Sequence, residues 1–513
     1  MMYLLGIDIG TSAVKSVVFN REGQEMAASR RTPDIIRPQP GWSEVSMEAL
    51  WQDVVGTIRE VVINEDLKGG RILGIGLSGT ACGAWFVDDA GQPVRNAIIW
   101  NDGRAADIVG EWQQSGVLDD IFRISGNAIF PGYTLAVLCW LKKHEPETLK
   151  RAKHLLFCKD WIRYRLTGKI ATDPSDTSYM PFDIRNAAYS DELLEVCGLQ
   201  DTSHLFPPIV GSGVVAGELR SDLSEELGLE AGIPVITGLV DVAATTLGAG
   251  AYMPGQACSI VGTSFMNNLL TKKPTFEPAG VGVQAITVGD VWIRSMVNTS
   301  GTINLQWFLD QFFRTEKEEK TQEIEDIYTW AEKTAAEVPL GSDGLLYHPY
   351  INTTGVISPF ANPTARAQFF GISVEHTRAH MLRAVYEGTA LSMLDCYLHM
   401  PADVRQIYIS GGGARSAFWC QMFADCTGRT ILVPSGNELG ARGVALLAGI
   451  ACGLYRDLKD AMDQAIRVER EINPDLGAKK KYQAIYELYK KIYQHLNEDW
   501  WERHRLLAML AKD

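Results

Sequence analysis

A single carboxylate, Asp241, lies in the stretch LVDVAATTLGAG at positions 239–250, where the other residues are apolar, small or uncharged. It separates an apolar run at 233–239 from a helix-like segment rich in alanine. A carboxylate in such a place can accept the proton of an alcohol during a group transfer. An aspartate that precedes a helix can equally cap it by accepting a backbone N–H hydrogen bond. The residues by themselves leave both interpretations of Asp241 open, a catalytic base and a helix cap.

Two short turns with the sequence Gly-Thr-Ser each follow an apolar, strand-like run. Their backbone N–H groups and hydroxyls suit an anion such as phosphate. The first turn is preceded by Asp8, which would repel a phosphate unless a divalent cation lay between them, and carboxylates suit Mg²⁺. We therefore predict two phosphate-binding turns, with Asp8 as the magnesium ligand. The turns consist of Gly10, Thr11 and Ser12, and of Gly262, Thr263 and Ser264.

The segments around these turns form a weak internal repeat. DIGTSAVKSVVF at 8–19 is similar to SIVGTSFMNNLL at 259–270, about 250 residues further on. A repeat of this length predicts two similar domains rather than a solenoid. A third loop, with three glycines at 411–413, stands between a strand-like and a helix-like run. From about residue 479, apolar side chains at helical spacing predict a C-terminal helix that packs on the body of the protein.

Bulk composition excludes several classes of protein. The chain has 513 residues, 46% of them hydrophobic, which is enough for two or three domains with full cores. Its net charge is −14 and it has no run of basic residues, so we expect no binding to nucleic acid or to an anionic membrane. It has no continuous apolar run of about 20 residues, and the segment MMYLLGIDIG at 1–10 lacks basic residues and is interrupted by Asp8, which argues against a membrane span or a signal peptide. Nine scattered cysteines without C-x-x-C pairs fit a reducing cytoplasm.

Other phosphate-binding motifs are missing. The sequence has no G-x-x-x-x-G-K-[ST] loop and neither the H-R-D nor the D-F-G motif of protein kinases. The glycines at 411–413 lack the G-x-x-G continuation of a dinucleotide-binding loop, which disfavours a nicotinamide-dependent enzyme.

Several separate motifs, in order along nearly the whole chain, resemble those of the FGGY carbohydrate kinases. They are GIDIGTSAVKSVVFNREG, QPGWSEVSMEALW, AIIWNDGRA, KDWIRYRLTGKIATDPSDTS, GLVDVAATTLGAG, ARAQFFGISVEHTRAHMLRAVYEG and ISGGGARSAFWCQMFADCTG. The resemblance implies an α/β fold of two actin-like (ribonuclease-H-like) domains with a cleft between them. Residues 1–250 would bind the sugar and carry the first phosphate turn. Residues 251–513 would bind ATP and end in the helix from about 479.

The resemblance also implies roles for individual residues. Asp241 would be the catalytic base, Asp8 would hold Mg²⁺, and both Gly-Thr-Ser turns would hold phosphate oxygens of ATP. Lys15 is interpreted as a solvated strand residue in preference to a phosphate ligand. The nucleotide would also be lined by Gly301, Gln306, Gly412, Gly413, Ala414 and Ser416.

The sugar pocket departs from the xylulokinase pattern. Thr80, Ala81 and Cys82 replace the Gln-Met-His of that pattern, and Val242 replaces its asparagine, which argues against D-xylulose. The segments WLKKHEPE and NTSGTINLQWF are similar to those of kinases acting on L-xylulose and 3-keto-L-gulonate. Cys82 is interpreted either as a pocket residue or as a buried inert thiol. We predict a substrate site formed by Thr80, Ala81, Cys82, Trp100, Asp102 and Asp241.

The sequence leaves alternatives open for the role of Asp102 and for the activity of the protein. Asp102 can line the pocket or cap the following helix. The enzyme is expected to phosphorylate a ketopentose such as xylulose, and a polyol kinase of the erythritol or glycerol type is the alternative. An actin- or chaperone-type ATPase would share the fold without a sugar acceptor, and an inactive sugar sensor would lack turnover. We expect a small-molecule sugar or polyol as substrate and a homodimer as the assembly.

Overall fold

The computed structural model describes residues 1–64, 67, 69–314, 316, 326–401 and 404–510. The chain divides into two compact units, each assembled from segments distant in sequence. The first unit contains Met1–Pro254, Leu270–Arg294 and Ser435–Arg467, and the second contains Gly255–Leu269, Ser295–Pro434 and Val468–Asp513. Unit 1 thus includes a late segment of the chain, and the division into 1–250 and 251–513 stays a prediction.

Strands and helices both occur along the whole length of the described chain. The strands are β1 Met2–Ile9, β2 Val14–Phe19, β3 Glu25–Arg31, β4 Ile35–Ile36, β5 Glu44–Val45, β6 Arg71–Gly79, β7 Trp85–Val87, β8 Ala97–Ile98, β9 His154–Leu156, β10 Phe182–Asp183, β11 Ala188–Tyr189, β12 Val215–Glu218, β13 Pro234–Ile236, β14 Leu239–Val240, β15 Ala257–Val261, β16 Phe265–Thr271, β17 Val283–Ile286, β18 Trp292–Asn298, β19 Leu346–His348, β20 Gln368–Phe370, β21 Gln406–Ser410, β22 Thr430–Pro434 and β23 Val468–Ile472. The α-helices are α1 Met47–Val62, α2 Ala106–Ser115, α3 Val117–Ser125, α4 Thr134–His144, α5 Pro146–Arg151, α6 Cys158–Thr167, α7 Pro174–Thr177, α8 Asp191–Val196, α9 Ser221–Leu227, α10 Asp241–Ala249, α11 Ile303–Phe312, α12 Ile327–Ala336, α13 Arg378–Leu398, α14 Ala417–Thr427, α15 Leu439–Ala451, α16 Leu458–Ala465, α17 Leu476–His495 and α18 Asn497–Leu510.

The main sheet of the first unit has the strand order β12-β13-β6-β1-β2-β3, and β14 also pairs with β6. Strand β1 runs parallel to β6 and antiparallel to β2, while β13 and β14 run parallel to β6. Helix α1 covers β2 and β3 with a face that is apolar except for Thr57, whose hydroxyl is hydrogen-bonded to that of Ser16 in β2 at 2.8 Å. Three parallel strands, β1, β6 and β14, therefore end at the same edge.

The second large sheet has the order β17-β18-β16-β15-β21-β22-β23. Strand β15 pairs antiparallel with β16 and parallel with β21, and β22 continues the parallel set. This arrangement matches the first sheet, where β1 pairs antiparallel with β2 and parallel with β6. The two Gly-Thr-Ser turns connect the strands of the two equivalent hairpins. The internal repeat in the sequence thus corresponds to a repeated strand arrangement.

Helix α15 joins the first unit although it lies late in the chain. It packs on β1, β6 and α10. The approach to the sheet is close, because a Cβ added at Gly6 would lie 2.1 Å from the carbonyl oxygen of Ala441. Arg442, which is buried, donates from Nε and Nη2 to the carbonyl oxygen of Gly248 at 3.0 and 2.7 Å. These donors satisfy a carbonyl in the last turn of α10, which lacks a partner within its own helix.

The core of the second unit is built on α13, α14 and α17. Tyr482, Tyr489 and Ile492 of α17 are buried, and Ile485 and Leu496 pack against the same core. The helix expected from about 479 begins at Leu476 and is followed by α18. Among the described residues, no helix is both long and apolar enough to span a membrane.

Candidate active site

The carboxyl ends of β1, β6 and β14 bring the predicted acidic residues of the first unit together. In the parallel register, Asp8 of β1 and Leu239 of β14 both lie beside Ser78 of β6. Asp8 is the penultimate residue of β1, and Asp241 directly follows β14. Residues 80–82 directly follow β6, so they start from the same edge. Ligand sites in open α/β sheets lie at such carboxyl edges.

Asp241 is the first residue of α10, and Val240 before it holds the capping position without a side-chain bond. The Asp241 Oδ1 atom accepts a hydrogen bond of 2.7 Å from the backbone N–H of Val242. One oxygen of Asp241 therefore satisfies a backbone N–H in the first turn of α10, as a capping side chain would. Burial and the charge of Asp8 raise the pKa of Asp241 to about 7, against the opposing effect of the Val242 N–H. A carboxylate with a pKa near neutrality is suited to accept a proton at neutral pH.

Asp8 is held from two sides. The Ser78 hydroxyl donates to Asp8 Oδ1 at 2.5 Å. A Cβ added at Gly440, in the first turn of α15, would lie 3.0 Å from Asp8 Cγ and Oδ2, so a larger residue there would require the carboxylate to shift by a few tenths of an ångström. Burial raises the pKa of Asp8, Glu438 raises it further, and Ser78 and Lys15 lower it. Placement near the amino end of a helix also favours the ionised form.

The Asp8 and Asp241 carboxylates fit a divalent cation. Each is partly buried, and they lie at the carboxyl ends of strands that flank β6. Two negative charges in this arrangement repel each other, and the charge of Asp8 is one cause of the raised pKa of Asp241. Magnesium is bound in proteins through one or two carboxylates, and its charge would cancel this repulsion. The donor set is thus suited to the predicted Mg²⁺.

Lys15 lies directly opposite Asp8 in the β1–β2 hairpin. Its Nζ atom forms a 2.6 Å ion pair with Glu438 Oε2, and both side chains are partly exposed. Lys15 lies on a strand, as predicted from the sequence, but its ammonium is paired with Glu438 where a solvated side chain was expected. The structure thus holds one cationic and one further acidic group beside Asp8.

The first Gly-Thr-Ser turn is closed by a hydrogen bond of 3.0 Å from the Gly10 N–H to the Ala13 carbonyl oxygen. Thr11 is half-buried and Ser12 is exposed. The start of this turn is bonded to the loop after β6, because the Thr80 N–H donates to the Ile9 carbonyl oxygen at 3.2 Å. The predicted phosphate turn and the predicted substrate loop are therefore neighbours.

Cys82 has a backbone φ of 72°, in the left-handed region that non-glycine residues rarely adopt. Its side chain is buried, as is that of Ala81. Burial raises the pKa of the Cys82 thiol well above its usual value, and Asp176 and Asp241 raise it further. Both interpretations from the sequence agree with this, since the thiol lies near Asp241 and stays protonated. A strained backbone at a ligand loop often marks a functional position.

Asp102 is engaged by protein donors. Its Oδ1 accepts from the backbone N–H and Nε of Arg104 at 2.9 and 2.8 Å, and its Oδ2 accepts from the Ser43 N–H at 2.6 Å. It does not cap α2, which begins at Ala106 after Ala105 in the capping position. The side chain of Trp100 is 42% exposed. The substrate roles of Trp100 and Asp102 stay predictions.

In the second unit, the second Gly-Thr-Ser turn is bonded to the start of α11. The Gly301 N–H donates to the Thr263 carbonyl oxygen at 2.7 Å, and the Thr302 N–H donates to the Gly262 carbonyl oxygen at 2.9 Å. The Gly262 N–H donates to the Ser264 carbonyl oxygen at 3.0 Å and closes the turn. The structure thus brings Gly301 to the predicted phosphate turn.

The glycine loop after β21 lies against the end of β15. Gly411 has a φ of 88°, and a Cβ added there would lie 2.6 Å from the Val261 carbonyl oxygen. Gly412 is exposed, while Gly413 and Ala414 are buried. The Ser416 hydroxyl accepts a 2.8 Å hydrogen bond from the Trp419 N–H and caps α14. The predicted adenosine loop is therefore next to the second phosphate turn, with Ser416 partly engaged as a helix cap.

Gln306 is on α11, one turn beyond Gly301. Its Nε2 donates to Asp310 Oδ2 at 2.9 Å, and its Oε1 accepts from the Tyr328 hydroxyl. Both ends of the amide are engaged within the unit. The nucleotide roles of Gln306, Gly301 and residues 412–416 stay predictions.

A buried charge network next to Asp241 was missed from the sequence. Lys159 Nζ lies 2.9 Å from Asp160 Oδ1 and 2.9 Å from Asp176 Oδ2, and it is also paired with Asp173. Each of these side chains has 0% exposure. Burial by itself would lower the pKa of Lys159. The charges of the three carboxylates outweigh the effect of burial, so the pKa of Lys159 is raised. The three aspartates are spaced as metal ligands could be, yet the ammonium already supplies the cation there.

This network supports the strand that presents Asp241. The backbone N–H of Ser175 donates to Asp173 Oδ1 at 2.9 Å. The hydroxyl of Ser175 in turn accepts a hydrogen bond of 2.9 Å from the Val240 N–H. The sequence does contain a signal for this network, which is the cluster of charged residues in KDWIRYRLTG and TDPSDTS. Charged side chains are rarely buried unless they are paired, so a buried cluster requires both signs of charge.

Comparison with known proteins agrees with the geometry. The FGGY family of carbohydrate kinases, N-terminal domain, matches residues 3–248, and the C-terminal domain of the same family matches residues 257–452. An L-xylulose/3-keto-L-gulonate kinase of Escherichia coli (strain K12) is 31% identical over 499 residues, covering 96% of this chain and 96% of that protein. An erythritol kinase of Brucella abortus (strain 2308) is 29% identical over 520 residues, covering 97% of each.

A solved structure shows the same fold. The ligand-bound xylulose kinase from Lactobacillus acidophilus superposes with a TM-score of 0.89 at 23% identity, covering 97% of this chain and 98% of that one. The predicted two-domain α/β fold is thereby confirmed. With both domain types matched in order over most of its length, the chain belongs to the FGGY family of carbohydrate kinases and is a sugar phosphotransferase that uses ATP.

Proposed function

We propose that the protein transfers the terminal phosphoryl group of ATP, as its magnesium complex, to a hydroxyl of a ketopentose or a closely related keto-sugar acid. L-xylulose and 3-keto-L-gulonate are the favoured acceptors. The observation that carries the proposal is the placement of Asp8 and Asp241 at the carboxyl ends of β1 and β14, on either side of β6.

Asp241 is the proton acceptor in this proposal. An alcohol is a poor nucleophile until its proton is removed as the new P–O bond forms. With a pKa of about 7, the Asp241 carboxyl is largely ionised above neutral pH and can take that proton. The Val242 N–H fixes one carboxylate oxygen and leaves the other to face the acceptor.

Asp8 holds the divalent cation. When bound, the cation neutralises charge on the phosphate oxygens. Ser78 fixes the orientation of Asp8 by donating to one of its oxygens. The backbone N–H groups and hydroxyls of the two Gly-Thr-Ser turns hold phosphate oxygens, and the loop at 412–416 flanks the adenosine.

The acceptor preference rests on the loop after β6. Thr80 supplies a hydroxyl, while Ala81 and Cys82 supply a small apolar wall with a neutral thiol. This wall lacks the imidazole and thioether that the xylulokinase pattern has there. The 31% identity to a kinase of L-xylulose and 3-keto-L-gulonate supports the same choice.

A polyol acceptor is the second candidate. The 29% identity to an erythritol kinase favours it, and the uncharged residues Thr80, Ala81 and Cys82 suit an uncharged chain of hydroxyls. An ATPase of the actin or chaperone type is the candidate from another class. It would hydrolyse ATP without any sugar and respond to unfolded peptide.

The test is a screen of acceptors in which ADP release is followed by a coupled assay with MgATP. The panel contains L-xylulose, D-xylulose, 3-keto-L-gulonate, erythritol, glycerol and an unfolded peptide. We expect the highest kcat/KM with L-xylulose or 3-keto-L-gulonate. A higher value with erythritol or glycerol would establish the polyol kinase instead. Stimulation by peptide alone would overturn the kinase proposal altogether.

A further inference from the structure

Helix α12 directs two polar side chains toward residues that are predicted to bind the nucleotide. Tyr328 and Glu332 are four residues apart, so they lie on the same side of the helix. The Tyr328 hydroxyl donates to Oε1 of Gln306 on α11. One turn further along α12, the Glu332 carboxylate accepts a hydrogen bond from the hydroxyl of Ser416, which precedes α14. One face of α12 therefore contacts both Gln306 and Ser416.

The Ser416 hydroxyl both accepts and donates. Its oxygen accepts the 2.8 Å hydrogen bond from the Trp419 N–H that caps α14. Its proton is donated to Glu332. Arg470 of β23 donates from Nη2 to the carbonyl oxygen of Ala414, two residues before Ser416. The loop at 412–416 is thus held by side chains, and Glu332 is one of the groups that border it.

Helix α12 is itself fixed to the core of the second unit. Arg383 of α13, which is buried, donates from Nη1 to the carbonyl oxygens of Ala335 and Val338 at 3.2 and 2.7 Å. These two carbonyls belong to the last turn of α12 and to the residues just after it, where helical partners are missing. Ala331 and Ala335 are buried in the same core. The polar side chains of α12 therefore start from a fixed backbone.

The Glu332 carboxylate is only partly buried, so one side of it stays accessible. Burial raises the pKa of Glu332, and the Ser416 hydroxyl lowers it by donating to the ionised form. The charge of Asp326 raises the pKa of Glu332, and the charge of Arg470 lowers it. When ionised, the carboxylate offers acceptor atoms only. A ligand beside the loop at 412–416 therefore meets a group that accepts hydrogen bonds and donates none.

A group of this kind recognises the position at which adenine differs from guanine. Adenine carries an amino group at position 6, which donates, whereas guanine and hypoxanthine carry an oxygen there, which accepts. Carboxylate side chains accept hydrogen bonds from the exocyclic amino groups of bases. A site built to make such a hydrogen bond rejects an analogue that cannot make it, because its polar group is then left unpaired.

We propose that Glu332 selects the base of the nucleotide, by accepting a hydrogen bond from the 6-amino group of an adenine bound beside the loop at 412–416. A 6-oxo base places its oxygen against the carboxylate and is disfavoured. Ser416 is a positioning residue, since its hydroxyl orients the carboxylate of Glu332. The inference rests on the proposed function, because it takes the loop at 412–416 as the adenosine site, and it adds a residue that determines which nucleotide donates the phosphoryl group.

The first test measures nucleotide binding to the full protein by isothermal titration calorimetry, with Mg²⁺ and without sugar. The probes are ADP and inosine diphosphate, which are not consumed and whose bases carry an amino group and an oxygen at position 6. We expect the wild type to bind ADP at least about tenfold more tightly. Glu332→Gln can turn its amide to accept or to donate, so the ratio of the two dissociation constants should fall below about three. A wild type without the preference, or a Glu332→Gln variant with the wild-type ratio, would overturn the proposal.

The matched control is Glu337→Gln. It removes the same charge from an exposed side chain directly after α12, and it should keep the wild-type ratio. Urea unfolding of each variant verifies that the fold is retained. If the ratio falls as far in Glu337→Gln as in Glu332→Gln, the effect is one of overall charge and base selection by Glu332 is wrong.

The second test removes the amino group from the ligand. Purine riboside diphosphate lacks only the 6-amino group of ADP, and the wild type should bind it at least about tenfold more weakly than ADP. Glu332→Ala has no acceptor at this position, so it should bind the two nucleotides alike. One change in the protein and one in the base together isolate a single contact. Equal discrimination by the wild type and Glu332→Ala would contradict that contact.

The outcomes separate this inference from the proposed activity. Tight binding of ADP without any dependence on the 6-amino group overturns base selection alone and leaves the kinase proposal in place. Failure to bind ADP, measured in the same titration, would overturn the adenosine role of the loop at 412–416 together with the role of Glu332.

Discussion

At the scale of single residues, the proposed chemistry rests on two carboxylates at the ends of strands that flank β6. Neither Asp8 nor Asp241 is fully buried, yet burial raises the pKa of both, and the charge of Asp8 adds to the effect on Asp241. Ser78 and the Val242 N–H oppose this by donating to one oxygen of each. Functional sites commonly hold acids with pKa values shifted by burial and by like charges.

Replacement of the proposed base tests its role directly. Asp241→Asn keeps an oxygen for the Val242 N–H but cannot accept a proton, so turnover should fall at least about 100-fold. Denaturant unfolding and ATP binding should stay close to wild type. The control is Asp222→Asn, which changes an exposed acid that forms an ion pair with Arg220. Turnover of Asp241→Asn above about a tenth of wild type would contradict the assignment.

The pH dependence follows from the same group. The Asp241 carboxyl accepts a proton only when ionised, and its pKa of about 7 places this change near neutrality. The kcat/KM for the sugar should therefore rise with pH on the acid side, with an apparent pKa well above the usual 3.8 of aspartate. Measurement of kcat/KM at low MgATP reports this pKa for the free enzyme. A profile that is flat from pH 5 to 8, or one that falls as pH rises, would not agree.

At the scale of elements, the site depends on how strands and helices are held. Strand β14 has only two residues, and its position beside β6 is supported by Ser175, which accepts from Val240, and by the buried ions around Lys159. Helix α15 comes from the far end of the sequence and places Gly440 against Asp8. The elements that bear the two carboxylates are therefore fixed by contacts that are remote in the chain.

Removal of the central cation of the buried network should be costly. Lys159→Met leaves Asp160, Asp173 and Asp176 buried without their shared ammonium, and breaking a buried pair in this way costs about 3–5 kcal/mol. The free energy of unfolding from urea titration measures the loss. Lys153→Met is the control, since Lys153 forms an exposed pair with Asp89 at 3.8 Å. That change should lie within about 0.5 kcal/mol of wild type. An equal effect of both substitutions would rule out a special role for the network.

At the scale of the whole molecule, the proposed roles fall on two units with equivalent hairpins. The first unit contains Asp8, Asp241 and the predicted substrate loop, and the second contains the second Gly-Thr-Ser turn and the glycine loop. The sequence repeat corresponds to the repeated strand order. In each unit, the turn of the hairpin lies beside the end of a strand that runs parallel to the first strand of the hairpin.

Separate addition of the two substrates should therefore protect separate units. Hydrogen exchange of the backbone, followed by mass spectrometry, should slow around 78–82 and 240–243 when the sugar alone is added. With a non-hydrolysable ATP analogue alone, exchange should slow around 262–264, 301–303 and 411–416. The control is the backbone of α9, at 221–227, where no change in exchange is expected. Protection of the glycine loop by the sugar alone would contradict the division.

The sequence by itself determined the family, the two-domain α/β fold and the position of the two Gly-Thr-Ser turns between the strands of equivalent hairpins. The phosphate role of these turns and the catalytic role of Asp241 stay predictions. The family motifs and the turns are local patterns, since a turn or a strand end needs only neighbouring residues to be recognised. The pairing of Ser78 with Asp8, the close approach of Gly440, the buried ions around Lys159 and the contact of Glu332 with Ser416 were decided by the tertiary structure. Each joins residues far apart in the chain, or depends on which side of an element remains uncovered, and burial is a property of the folded molecule alone. The pKa of Asp241 belongs to this second group, because the burial and the neighbouring charge that raise it exist only after folding.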